Sequence, residues 1–272
     1  MSNNKANIKN IINDFGKTIS CNQAINLIKD FSQDEKDEVM QYIYSEQQNF
    51  WHEYANFYTY FFPKLPFVPE HIDHFVGVIN PQPNETIIDL GSGYGRIIKK
   101  IIDEQPRVKK VIGLEYAKGM LLQAREVLGE KADTDQVHLI YHDVVKTFPI
   151  SDNTADKVYS NWGITYCTRE DLEKKVLPEI KRVLKPGGKL IIASLHAKSD
   201  MPSLRKKMSF LNVLKILGVV RKAISFGKEI KLFFPNYTVE ELNNVISQNG
   251  FKIIRKEMTL FNNSITIVAE KL

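Results

Sequence analysis

The chain has 272 residues, 43% hydrophobic and 25% charged, the balance of an ordinary globular protein rather than a disordered one. Its two cysteines, Cys21 and Cys167, make no CxxC pair and have no histidine cluster beside them, which argues against a disulfide framework or a zinc site, and no metal ligands are proposed. The formal charge of +5 is uneven: residues 202–234 hold eight Lys or Arg against Glu229, a net of +7 that leaves −2 elsewhere, whereas a nucleic-acid binder spreads its basic face over the fold.

The start, Met1-Ser2-Asn3-Asn4-Lys5, leads into no apolar segment, and no apolar run reaches the roughly 18 residues that span a bilayer. A cytoplasmic protein is expected. Residues 1–66 read as helical. Ser32 with Glu35 has the form of a capping box opening a helix through Val39 and Ile43. Phe50, Trp51, Tyr54, Phe57, Tyr58, Phe61 and Phe62 follow at spacings of three and four, an aromatic stripe along one face. Such a stripe either packs as core or closes over a site as a water-excluding lid. Pro63, Pro66 and Pro69 end the pattern. We therefore expect an N-terminal helical lid or extension over 1–66 and the main domain over 67–272.

From about residue 70 strands alternate with helices. Strands are expected at Thr86–Leu90, Lys110–Glu115, Val137–Tyr141, Ala155–Ser160 and Lys189–Ser194. Helices are expected from about Gly95 to Ile102, Lys118 to Leu128 and Arg169 to Leu184, the last stopped by Lys185-Pro186-Gly187-Gly188. This is the rhythm of an α/β fold with a doubly wound, mostly parallel sheet. A helical cap insertion, basic and apolar by turns, is expected at about 197–236, although Gly218 works against one long helix. Thr238 to Asn249 reads as a capped helix stopped by Gly250. Phe251–Leu260 and Ser264–Glu270 follow as strands, and their three-residue connection is too short for a parallel crossover, so they must form an antiparallel hairpin.

The chemical signal is Ile87-Ile88-Asp89-Leu90-Gly91-Ser92-Gly93-Tyr94-Gly95-Arg96, a strand running into a glycine-rich turn and a helix. Glycines there permit positive-φ turns and let a ligand lie against the backbone, at the carboxyl end of a strand where open α/β sheets bind ligands. A nicotinamide site would want GxGxxG, but Arg96 stands at the third position. A Walker loop would need Gly-Lys-Ser/Thr, which is absent. Asp89 suits a cationic ligand such as S-adenosylmethionine (SAM) and would repel a pyrophosphate.

On these residues the chain resembles the class I SAM-dependent methyltransferases. Asp89-Leu90-Gly91-Ser92-Gly93-Tyr94-Gly95 is similar to their first motif. Glu115, ending the second strand, matches the acid that holds the ribose hydroxyls, and Asp143, after the third, the acid that contacts the adenine amine. Leu184-Lys185-Pro186-Gly187-Gly188-Lys189-Leu190 matches the turn before the fifth strand, and Tyr237 through Leu272 the closing units. The resemblance spans roughly 70–272, and its nearest subgroup is the small-molecule enzymes typified by the ubiquinone and menaquinone methyltransferases. The long basic stretch after the fifth strand departs from that pattern.

The resemblance implies a Rossmann-like, seven-stranded sheet ending in an antiparallel hairpin, with SAM as cofactor. It implies cofactor contacts from Asp89, Gly91, Ser92, Gly93, Gly95, Glu115, Asp143 and Asn161, with Tyr116 and Val144 added because they follow the two acids. The loop Asn161-Trp162-Gly163-Ile164-Thr165-Tyr166 lies, in the resembled fold, beside the methyl group and its acceptor. Trp162 and Tyr166 are thus candidates for the acceptor pocket, with Trp51, Tyr54 and Tyr58 from the aromatic stripe. His196 and Tyr166 are the candidate catalytic groups, His196 as a general base. The expected activity is methyl transfer to a small or amphiphilic acceptor, lipid-like or aromatic, and not to nucleic acid. The basic stretch 202–234 would be the part to touch an anionic membrane. A nicotinamide-dependent oxidoreductase and a non-catalytic SAM-binding or membrane-docking module are the alternatives.

Overall fold

A computed structural model describes residues 26–65, 67–195, 237–259 and 263–272. Cys21, Pro66, His196, the expected cap at 197–236 and residues 260–262 of the closing hairpin lie outside the described residues.

The sheet has seven strands: β1 (Thr86–Leu90), β2 (Lys110–Glu115), β3 (Val137–Tyr141), β4 (Ala155–Asn161), β5 (Leu184–Leu195), β6 (Phe251–Thr259) and β7 (Ser264–Lys271). Their order is β3-β2-β1-β4-β5-β7-β6. β1 to β5 run parallel, and β7 lies antiparallel to both β5 and β6, the expected hairpin. Every residue of β1 is buried, as a parallel strand covered on both faces requires. Because β1 has β2 on one side and β4 on the other, the winding direction reverses there, and a crevice opens at the carboxyl ends of these strands.

Alternation along the strands sends successive side chains to opposite faces. Ile87, Val111, Tyr159 and Ile191 join a core formed by α2 (Phe67–Ile79), α3 (Arg96–Glu104) and α4 (Lys118–Leu128). Ile88, Leu90, Leu190 and Ile192 join the other core, formed by a composite helix over Arg169–Val183 and by α6 (Val239–Gln248). α6 opens with a capping box of Thr238 and Glu241. The long first helix, α1 (Gln33–Phe61), has the expected capping box of Ser32 and Glu35. Its Phe50, Trp51, Tyr54 and Phe57 form a third buried cluster with Tyr94, Ala117 and Met120 at the top of the sheet.

The first helix ends at Phe61, ahead of Pro63, as expected; a 3-10 turn at Phe62–Lys64 and then α2 follow, and Pro69 sits in the first turn of α2, where a missing N–H costs little. Two local expectations need correction. The helix expected over Arg169–Leu184 is not uniform. A single turn at Arg169–Asp171 passes through a π turn at Leu172–Val176 into α5 (Leu177–Val183), because Pro178 cannot donate to the preceding turn. β5 begins at Leu184 rather than Lys189. Leu184 pairs with Ala155 before the register shifts at Lys157, so the Lys185–Gly188 turn is a bulge within the strand.

Candidate cofactor site

The glycine-rich turn closes β1 in the way its composition requires. Gly91, Gly93 and Gly95 have φ of 73°, 54° and 73°, a region in which any side chain is strained. Gly91 has a second constraint: its Cβ would lie 2.8 Å from the Cα of Gly163, so the β1 turn and the post-β4 loop touch backbone to backbone. The Gly91 and Ser92 N–H groups both donate to the Leu114 carbonyl, at 2.8 and 3.1 Å, tying the turn to the end of β2. Above Gly93 nothing lies within 4 Å of where a Cβ would stand, which leaves a cradle that a side chain would fill. The Ser92 hydroxyl is buried without a partner.

Three acids follow at the strand ends. Asp89 is 2% exposed and accepts a 2.8 Å bond from the Tyr159 hydroxyl. Burial pushes its carboxyl up to about 8, against the pull of Tyr159 and with a push from Glu115. Glu115 is also buried and raised, its desolvation offset by N–H donors: Gly93 donates to Oε2 at 2.9 Å and Ala117 to Oε1 at 2.8 Å. Asp143 is half-buried in the loop after β3 and uses Oδ1 to hold the Val145 N–H at 3.2 Å.

Asp143, Val144 and Tyr116 line one cavity with Val145, Gly163, Tyr166 and Cys167 from the sheet side and Tyr44 and Gln47 from α1. Its volume is about 40 Å³, room for a few waters at ~10–15 Å³ each. α1 is fastened across it at two points. The Tyr44 hydroxyl donates to Asp171 and receives the Thr168 N–H at 3.2 Å. Gln48 Nε2 donates to the Tyr116 carbonyl at 2.6 Å and to the Tyr141 hydroxyl at 2.7 Å. Burial pushes the Cys167 thiol up, so it stays an inert protonated wall.

On the other side of the turn an aromatic seam joins α1 to the post-β4 loop. Tyr166 packs edge-on against Trp51 at 5.6 Å, Trp51 against Tyr58 at 5.2 Å, and Tyr58 stacks on Phe62 at 4.4 Å. Phe62 meets Trp162 at 5.9 Å, and Trp162 stacks on His71 of α2 at 4.5 Å. Trp162 has φ of 64°, an arrangement that costs on the order of 1–2 kcal/mol. Its N–H bond to the Ala193 carbonyl and its indole bond to Ser264 hold it there. His71 is 3% exposed, contacts Asn161 Oδ1 at 2.8 Å, and is depressed to about 4 by burial, so its ring is neutral. Tyr54 is buried in the cluster beneath α1. Burial holds the Tyr166 hydroxyl well above its ordinary range, so it can donate a hydrogen bond at neutral pH but cannot act as a base.

The structure thus brings Asp89, the three turn glycines, Ser92, Glu115, Tyr116, Asp143, Val144, Asn161, Trp162 and Tyr166 to one end of the sheet. Sequence reasoning missed Tyr44, Gln47, Val145, Gly163, Cys167 and His71. One signal was present: Tyr44, Gln47, Trp51, Tyr54 and Tyr58 continue the same three-and-four spacing, and a polar Gln47 on an aromatic face is out of place as packing. The residues fit SAM by their donor and acceptor set. Buried carboxyls stand at β1 and β2, an acceptor stands after β3, and the cradle above Gly93 has room for a ligand. Among the described residues no three His, Cys, Asp or Glu side chains cluster to hold a metal.

A family profile described as a methyltransferase domain matches residues 81–259. The chain is 27% identical over 200 residues to a mitochondrial 2-methoxy-6-polyprenyl-1,4-benzoquinol methylase of Caenorhabditis elegans, covering 70% of this chain and 66% of that protein. It is 28% identical to a ubiquinone/menaquinone biosynthesis C-methyltransferase of Acidiphilium cryptum, covering 65% of this chain and 70% of the relative. The chain thus spans about two thirds of the length of these relatives. A SAM-dependent methyltransferase from Aquifex aeolicus shares the fold, with a TM-score of 0.53 and 18% identity over 74% of this chain and 89% of that one. The match to a methyltransferase domain removes the oxidoreductase alternative, against which Arg96, in place of the third glycine, already argued. The chain belongs to the methyltransferase-domain family, and it is a SAM-dependent methyltransferase.

Proposed function

We propose that the acceptor is a small aromatic or amphiphilic molecule of the quinol type, bound against the seam of Trp51, Tyr58, Trp162 and Tyr166. The observation that carries this reading is the seam itself: a run of ring contacts between the lid and the post-β4 loop, next to the glycine turn. Flat apolar rings are the surface on which another aromatic ring packs favourably. The two quinone-pathway relatives support it from outside the chain. The 1–66 stretch then serves the site as its lid, with Tyr54 seating that lid on α4 rather than touching the acceptor.

SAM, when bound, supplies a methyl group already activated by its positively charged sulfur. Asp89, Gly91, Ser92, Gly93 and Gly95 form the turn that would hold its amino-acid end. Glu115, Tyr116, Asp143 and Val144 would hold the nucleoside end, and Asn161, fixed by His71, borders the reacting side. The chain's own contribution is alignment and exclusion of water, the two effects that dominate when the leaving group needs no help. Proton removal from the acceptor falls to a group other than Tyr166. His196 stays a candidate and lies outside the described residues.

Labelled methyl transfer from SAM into a panel of short-chain quinols, simple phenols and a neutral lipid extract tests the assignment. Transfer into the quinols, reduced at least ten-fold by Trp162→Ala with SAM affinity retained, is expected. Transfer into neither quinols nor phenols would overturn the acceptor class.

A further inference from the structure

One polar group in the lid is unexplained by packing. Gln47 of α1 is 1% exposed, lines the cavity with Tyr116, Asp143 and Val144, and its Nε2 has no hydrogen-bond partner. A buried N–H without an acceptor is rare in a native fold and costly wherever it occurs. Nothing in the helix calls for an amide, because the same face continues with Trp51 and Tyr54. A second orphan stands at the same cavity, the hydroxyl of Tyr116. Asp143 is an acceptor at the same cavity. The cavity therefore presents an amide donor from α1, and a hydroxyl and a carboxyl from the sheet side.

A heteroaromatic base matches that pattern when its edge offers an amine beside a ring nitrogen. Adenine is such a base. We propose that Gln47 is a cofactor-binding residue contributed by the lid, its Nε2–H donating to a ring nitrogen of adenine flanking the amine that Asp143 accepts. This rests on the reading that the nucleoside end of SAM enters this cavity. At about 40 Å³ the cavity is too small for a purine, so the base must part α1 from the sheet side as it enters. The bond to Gln47 then re-closes the lid over it. On this account the lid reads the cofactor as well as shielding it, and closure is selective for the base.

Calorimetry on the full chain with S-adenosylhomocysteine and its 1-deaza and 7-deaza analogues tests this. Gln47→Met keeps length and helix preference and removes the donor. It should weaken S-adenosylhomocysteine about ten-fold, the effect of one hydrogen bond in a dry pocket. One deaza analogue should be weakened by a similar factor on the unaltered protein and by no further factor on the variant. Gln47→Glu, which replaces the donor by an acceptor, should lose more. Wild-type affinity in Gln47→Met, or losses that simply multiply for every analogue, would overturn the assignment. The site reading is checked separately: if Gly93→Val and Asp143→Asn also leave affinity unchanged, that reading fails too. If they abolish binding while Gln47→Met does not, only the role of Gln47 falls.

Discussion

Asp89 sits at the tip of β1 with its carboxyl buried and pushed up to about 8, by desolvation above all. An unfolded aspartate titrates near ~3.9. Between roughly pH 4 and 8 the folded chain therefore holds a proton that the unfolded chain has released, and this contribution to stability is lost as pH rises through 8. His71 has the opposite sign. Its folded value of about 4 lies below the ordinary 6.5, so it adds stability as pH rises, but only up to about 6.5. Above that Asp89 acts without it. Thermal melts of the unliganded protein should fall between pH 6.5 and 8, by at most about 2 kcal/mol or roughly 4–6 °C. Asp89→Asn should flatten the slope, and a variant that keeps the full slope would show that this carboxyl does not titrate there. The position of Asp89, Glu115 and Asp143 was legible because each ends a strand beside a glycine turn or loop. The raised pKa values of Asp89 and Glu115 were not, because they depend on how deeply the fold buries these carboxyls.

α1 stands on α4 through a glycine. A Cβ on Gly119 would lie 2.6 Å from the His52 carbonyl oxygen and 3.1 Å from the Ala55 Cβ, so the two helices meet at a distance that only glycine allows. Gly119→Val should push the lid off the sheet while leaving the strands paired. Overpacking of this kind costs typically 1–3 kcal/mol, here concentrated on the lid. The expected result is unchanged far-UV circular dichroism with SAM affinity reduced more than ten-fold. Tyr44→Phe removes the bond to Asp171 and should act more gently, raising the dissociation rate of SAM a few-fold. Trp51, one of two tryptophans in the chain, sits in the lid and gives the fluorescence signal for both measurements. Unaltered dissociation in both variants would mean that α1 is not the gate. The aromatic stripe, its capping box and the presence of every strand were readable, although the first residues of β5, Leu184–Gly188, read as a turn. α2 was not, because Phe67-Val68-Pro69 read as the end of a pattern when Pro69 in fact occupies a first turn. Nor was the π turn before Pro178, which follows from one missing donor rather than from periodicity.

The described residues divide their apolar interior into three clusters, one on each face of the sheet and one beneath α1. The first two share the same central strands and should open together. The third meets the rest through the turn residue Tyr94, through Tyr116 and Tyr166 in the loops after β2 and β4, and through α4, so its opening need not disturb the strands. Among the described residues no helix is long and apolar enough to cross a membrane. If α1 acts as the proposed lid, its opening controls entry of both reactants. Amide exchange read peptide by peptide should show β1, β4 and β5 as the slowest segments and α1 as faster by at least ten-fold. Adding SAM should slow α1 and the loop after β3 together, because a base held between Gln47 and Asp143 links the two, while β6 and β7 stay as they were. Equal slowing of every strand would make the chain one cooperative unit. No slowing of α1 would remove the lid from the binding event.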